Sequence, residues 1–184
     1  MNRTVLTAFV DVLLCTMIVL LAMVNPKQEE QSTVDPPGTL MVYTAWPDKG
    51  SKNDVDTWMY APGMNDPVGY DNKEGADCNL VKDDLGWPGE VNFENVYCRN
   101  TPDGEYIVNI HAYQTTTEML PVEVQVMMVK NGKTEMLFNE TVTLSGNKDE
   151  ITVIRFIMKD GKVIPESINH VFVSLYKPKN NGGF

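Results

Sequence analysis

Three groups of residues in this sequence could do chemistry. The first is a lone acid, Asp11, set inside the apolar run VLTAFVDVLLCTMIVLLAMV from Val5 to Val24. The second is a crowd of aspartates, Asp54, Asp56, Asp66, Asp71, Asp77, Asp83 and Asp84. The third is the cysteine pair Cys78 and Cys98. An ionised carboxylate in the middle of a membrane helix opposes insertion by about 2.5–3.5 kcal/mol. Such a group is kept where it is paired, protonated or facing a wet path, so the chemistry that suits Asp11 is the carriage of a proton or Na⁺. Aspartates supply hard oxygen ligands, and Ca²⁺ takes six to eight of them. Loops at one end of a β-sandwich would bring Asp54, Asp56, Asp71, Asp83 and Asp84 to one ion, with Asp54 and Asp56 on the same side of a strand. No EF-hand spacing is present, so the competing expectation is a solvated acidic cluster that keeps the domain soluble.

Cys78 and Cys98 predict a disulfide in an oxidising compartment. Closing that loop is worth about 3 kcal/mol in the chain-entropy picture. Two separated cysteines without a neighbouring histidine do not make a zinc set. The histidines, His111 and His170, fall on predicted strands, where packing is the usual role. Ser32, Ser51, Ser145, Ser167 and Ser174 lack a Gly-x-Ser-x-Gly setting, and there is no phosphate loop or HExxH. The sequence therefore does not read as an enzyme. Of the tryptophans, Trp58 is expected in the core, while Trp87, beside Gly86 and Pro88, suits a surface contact with a bound load. The formal net charge of −10, without a basic cluster, argues against nucleic-acid binding. It also keeps an exported body off anionic lipid headgroups.

The element that must position Asp11 is a helix. Twenty residues at about 1.5 Å each reach roughly 30 Å, a bilayer's hydrocarbon thickness. A signal peptide fits less well, because the run is long and no small-x-small site closes it. A lipoprotein site at Cys15 fails because Leu13 and Leu14 precede it. Arg3 lies before the span, and beyond it Lys27 is outnumbered by Glu29, Glu30 and Asp35. The positive-inside rule then places residues 1–4 in the cytoplasm and the C-terminal body outside. Thr4, Ala8, Asp11, Cys15, Ile18 and Ala22 recur in steps of four and three, a stripe on which two copies of the helix would pack.

Residues 25–38, NPKQEEQSTVDPPG, read as an extended tether. Residues 39–176 carry strand patterns without a convincing helix: Leu40–Tyr43, Asp54–Tyr60, a short run at Val68–Tyr70, Tyr106–Tyr113, Pro121–Lys130, Thr134–Leu144, Ile151–Met158 and Val171–Tyr176. Asn131-Gly132 and Asp160-Gly161 mark tight turns. About eight strands with turns between them predict an antiparallel β-sandwich. Residues 177–184 form a tail.

The segment Thr7-Ala8-Phe9-Val10-Asp11-Val12-Leu13-Leu14 resembles the membrane segment of the ExbD/TolR family, with MotB a more distant relative. The resemblance covers about the first twenty-five residues, with Ala8 where that family has proline. It implies a single-span subunit of the bacterial inner membrane that pairs with itself inside a ring of multi-span ExbB-, TolQ- or MotA-like partners. It further implies that Asp11 carries the driving ion, with Thr7 one turn earlier on a similar face, and that a periplasmic domain meets a load or the cell wall. Asp54-Val55-Asp56, Ala61-Pro62-Gly63, Tyr70-Asp71-Asn72, Asp83-Asp84 and Gly104-Glu105-Tyr106 resemble small bacterial immunoglobulin-like domains. That second resemblance implies a fold and a binding role. ExbD, TolR and MotB carry exported domains of mixed α/β type, so the load they bind does not transfer to this chain.

Overall fold

The computed structural model describes residues 2–24, 39–47, 52–87, 89, 91–130 and 132–176, without the side chains of residues 4, 8 and 18–24. The chain divides into two units, Met1–Asp35 and Pro36–Phe184. The predicted tether, residues 25–38, and the tail, residues 177–184, lie outside the described residues.

The first unit contains helix α1, Arg3–Val24. Its sequence holds no glycine or proline, and its five leucines lose little on entering a helix, which offsets the weaker propensity of its five valines. The two described hydroxyls that interrupt it bond back to its own carbonyls. Thr7 Oγ1 donates to Arg3 O at 3.2 Å, and Thr16 Oγ1 reaches Val12 O at 3.0 Å and Leu13 O at 2.9 Å. Among the described residues no helix is long and apolar enough to cross a membrane. The side chains of residues 18–24, the apolar end of α1, are not among those described.

The second unit is built from two antiparallel sheets. Its strands are β1 (Leu40–Trp46), β2 (Asp54–Tyr60), β3 (Cys78–Lys82), β4 (Asn92–Cys98), β5 (Gly104–Gln114), β6 (Leu120–Lys130), β7 (Lys133–Leu144), β8 (Glu150–Lys159) and the short β9 (Lys162–Val163). One sheet has the order β3-β4-β1-β6-β7 and the other β2-β5-β8-β9. Period-two alternation sends one side of each sheet into a shared core. Leu40, Val42, Val96, Val122, Val124 and Val126 enter it from the first sheet, and Val55, Tyr106, Val108, Ile110, Ile154 and Phe156 from the second. The arrangement is sandwich-like.

The turn signals act as expected where they are described. Lys130 pairs with Lys133 across the β6–β7 turn, and Gly132 there has φ +70. Asp160 and Gly161 both take positive φ, +50 and +65, between β8 and β9. A two-residue turn with both centres left-handed matches the right-handed twist of its strands.

Three strand expectations need correction. The strands β3 and β4 form although neither stood out in the sequence. Val68–Tyr70 makes only bridges, Val68 to Met59 and Gly69 to Asn72. Val171–Tyr176 forms no ladder; it is a strap whose backbone is held by side chains. Val173 N donates to Thr152 Oγ1 at 3.0 Å, Asn109 Nδ2 donates to Val173 O at 2.8 Å, and Leu175 N and Tyr176 N donate to Glu150 Oε1 at 2.8 and 3.1 Å. Those four bonds satisfy groups that a strand would have paired with a neighbour.

The strap covers the outer side of the second sheet. Trp58 is buried there with Ile107 and Leu175, edge-on to Tyr70 and Tyr176, and not in the main core.

Candidate functional site

The aspartates expected to be solvated are for the most part buried where they matter. Asp54, Asp56 and Asp84 are 4, 3 and 5 % exposed. Asp56 stands on β2 directly opposite His111 on β5, and the Asp56 Oδ2 to His111 Nδ1 distance is 3.1 Å. The His111 ring stacks on Tyr176 of the strap at 4.3 Å. Burial raises the pKa of Asp56, and the His111 hydrogen bond opposes that rise.

Glu94 on β4 completes the cluster, and sequence reading missed it. It lies on the inward side of its strand with no exposure. Glu94 Oε2 accepts the Thr57 backbone N–H at 2.6 Å, and Oε1 accepts that of Asp84 at 3.4 Å. The carboxylate therefore caps the free edge of β2, where Thr57 N–H has no neighbouring strand. Burial, then the negative charge of Asp56, hold the Glu94 pKa well above the ordinary carboxyl value. Asp54 is pushed up to about 7, first by burial and then by Asp56, with Lys52 opposing.

Asp83 and Asp84 sit on the loop after β3. Asp84 Oδ2 receives Lys82 Nζ at 2.7 Å and Phe93 N–H at 3.1 Å, and Oδ1 receives Gly86 N–H at 3.0 Å. Burial alone would raise its pKa, but these bonds outweigh burial and hold it below the ordinary value. Asp83 pairs with Lys73 at 2.7 Å. The loop is fixed at its far end by Gly86, whose φ is +66. A Cβ there would stand 1.7 Å from Asn53 O, so only glycine lets the loop lie against the start of β2.

One oxygen each from Asp56, Asp83 and Glu94 lie within 4.8 Å of one another. The expected set of Asp54, Asp56, Asp71, Asp83 and Asp84 is therefore only partly gathered. Asp56 and Asp83 converge. Asp84 is spent on Lys82 and backbone N–H groups, and Asp71 is exposed, its charge raising the Asp56 pKa. Asp66 is exposed, and Asp77 accepts from Asn100 Nδ2 at 2.7 Å. The two histidines also part company. His111 supports the cluster, whereas His170 Nδ1 lies 2.6 Å from Val153 O.

Cys78 and Cys98 are bonded, as the sequence predicts. They face each other in register across β3 and β4, and both are buried. Trp87 is 55 % exposed, with Lys52 Nζ 4.9 Å from its ring centre.

In α1, Asp11 and Cys15 are exposed one turn apart, and Cys15 is a free thiol. Thr4, Ala8, Ile18 and Ala22, the rest of the expected packing stripe, have side chains outside the described set. Thr7 is exposed, its hydroxyl turned to Arg3 O. Val5, Leu6, Phe9, Val10, Val12, Leu13, Leu14 and Met17 are all exposed as well.

No family model, curated protein or solved structure matches this chain.

Proposed function

We propose that this chain is the single-span subunit of an ion-driven motor in a bacterial inner membrane. One observation carries the reading: Asp11 lies within an unbroken helix, Arg3–Val24, whose described large apolar side chains are exposed. Eight such side chains gain about 1.5–3 kcal/mol each on leaving water. That sum outweighs the roughly 2.5–3.5 kcal/mol that one aspartate costs in a membrane. An acid retained at that cost is explained by ion carriage more readily than by anchoring.

In this reading two copies of α1 pack inside a ring of multi-span subunits of the ExbB, TolQ or MotA kind. Asp11 takes up a proton, or Na⁺, from one side and gives it to the other. Each charge crossing the membrane supplies about 2.3 kcal/mol per 100 mV. The tether passes this work to a periplasmic domain that grips a load, with Trp87 a contact point. The resemblance to the ExbD/TolR segment supports the membrane part of this reading.

The immunoglobulin-like reading of the exported domain has its own support. Tyr106 stacks on Phe156 at 5.1 Å, and its hydroxyl donates to Pro102 O at 2.7 Å. A tyrosine bonding back to the backbone just upstream is a corner device of such sandwiches.

A second reading, a binding module on a passive anchor, is favoured by the buried acidic cluster, which nothing in a motor requires. Purification of the full chain from its native membranes in mild detergent separates the two. The motor reading expects a multi-span protein in stoichiometric amount, retained when Asp11→Asn is introduced. A chain that purifies alone supports the anchor.

A further inference from the structure

A sheet that does not close on itself has two edges whose backbone groups need partners, and this chain closes three of its four. Residues 73–75 run along β3, where Leu80 N donates to Lys73 O at 2.9 Å and Gly75 N to Cys78 O at 2.8 Å. Beside β2, Met59 and Val68 exchange bonds of 2.9 and 2.8 Å, and Glu94 takes the Thr57 N–H at 2.6 Å. The outer side of β8 carries β9 and then the returning chain. Arg155 and Asn169 exchange bonds of 2.8 and 2.9 Å there, and Ser167 Oγ accepts the Ile157 N–H at 2.8 Å.

The fourth edge, β7, is open. It is 12 residues long, and most of them are exposed. Among the described residues no backbone group of β7 bonds outside the β6 ladder. Leu137 is an extra residue in that ladder, because Val126 pairs with Phe138 while Met127 pairs with Met136. Beyond this bulge, residues 138–144 pair with 120–126 without interruption. Phe138, Val142 and Leu144 face the core, and Asn139, Thr141 and Thr143 face solvent. The run holds no proline, lysine or arginine to turn another strand away, and its single charge is Glu140.

We propose that residues 138–144 are an interface between two copies of this chain, β7 lying antiparallel to the partner's β7 across a two-fold axis. The run is complementary to itself in one register. With the axis through Thr141, Phe138 meets the partner's Leu144, Asn139 the partner's Thr143, and Glu140 the partner's Val142. Each pair shares one side of the sheet, as a continued pleat requires. Phenylalanine meets leucine on the core side, and hydroxyls meet an amide and each other on the solvent side, pairs that stabilise neighbouring strands. An axis at Glu140 would oppose two like charges, and one at Val142 would leave Phe138 without a partner in the strand. Each edge then satisfies the other's N–H and C=O groups, and the contact closes at two copies. The interface does not rest on ion carriage by Asp11: it suits a motor subunit and an anchored module alike, and either claim can fail alone.

The test is a cysteine scan of the full chain in mild detergent. It uses a Cys15→Ser background, since Cys78 and Cys98 are bonded to each other. Opposed residues on antiparallel strands have Cα atoms about 4.5–5.5 Å apart, within disulfide reach. Under a mild oxidant Thr141→Cys should cross-link two copies. Asn139→Cys and Thr143→Cys should do so only when combined in one chain. Lys159→Cys, exposed on β8, reports random collision. Pairing of α1 alone would raise all of these together and would not reproduce the pattern. Thr141→Lys sets two cations on the axis. It should speed exchange of the β7 amides that point away from β6 roughly tenfold or more, with β5 amides as protected as before. Thr141→Cys cross-linking no faster than Lys159→Cys overturns the proposal. So does Thr143→Cys alone matching Thr141→Cys, or a Thr141→Lys chain with unchanged β7 exchange.

Discussion

Replacing Cys78 and Cys98 together by alanine removes a cross-link between positions 20 residues apart. For a loop of that length the chain-entropy relation gives about 11 cal/mol/K, or about 3.3 kcal/mol at 25 °C. Both sulfurs are buried in register on neighbouring strands, and alanine leaves little volume unfilled. At roughly 2–4 °C per kcal/mol for a domain of about 150 residues, the midpoint should fall by roughly 7–13 °C. The loss should concentrate at β3. That strand is an edge of its sheet, five residues long, and its pairing with β4 slips between Leu80 and Lys82. The assay is thermal unfolding of the full chain in detergent, paired with amide exchange of β3 and the loop that follows it. A midpoint within about 2 °C of wild type, with β3 amides as protected as before, would refute the reasoning.

Two further outcomes follow from the acidic cluster. The protein should lose stability as pH rises from about 4 to 7, because Asp54, raised to about 7, holds its proton in the folded state after the unfolded chain has released it. Asp56 and Glu94 are raised and add in the same direction, while Asp84 and Glu150 are lowered and act only at more acid pH. Asp54→Asn should therefore flatten the profile, and an unchanged slope in urea titrations across that range would contradict the assignment. Gly86→Ala should cost about 3 kcal/mol or more, since its Cβ would meet the Asn53 carbonyl. It should also release the Asp84 loop, seen as a lost Gly86–Asp84 bond by amide exchange.

The regular strands were legible in the sequence because their alternation is clean. Tyr106, Val108, Ile110 and Ala112 alternate along β5, and Val122, Val124, Val126 and Met128 along β6, and all eight are buried. The strand β4 was not legible because its inward side begins Asn92 and Glu94 before reaching Val96 and Cys98. Polar residues at core positions break the pattern that marks a strand, and here they mark the site. Val171–Tyr176 failed in the opposite way. Its composition suits a strand, but Glu150, Thr152 and Asn109 occupy its backbone groups, and no local pattern reports such distant partners. Aspartate crowding pointed to the right region but not to Glu94, a different residue type on a strand that went unseen. Which aspartates converge depended on Lys82 and Gly86 drawing Asp84 away, which only the folded loop reveals.

The most direct test of the motor account is proton flux through the purified membrane complex, reconstituted in liposomes with a pH-sensitive dye inside. The account predicts flux driven by an imposed potential in wild type and its loss in Asp11→Asn, with the complex still assembled. Undiminished flux through the Asp11→Asn complex would contradict it.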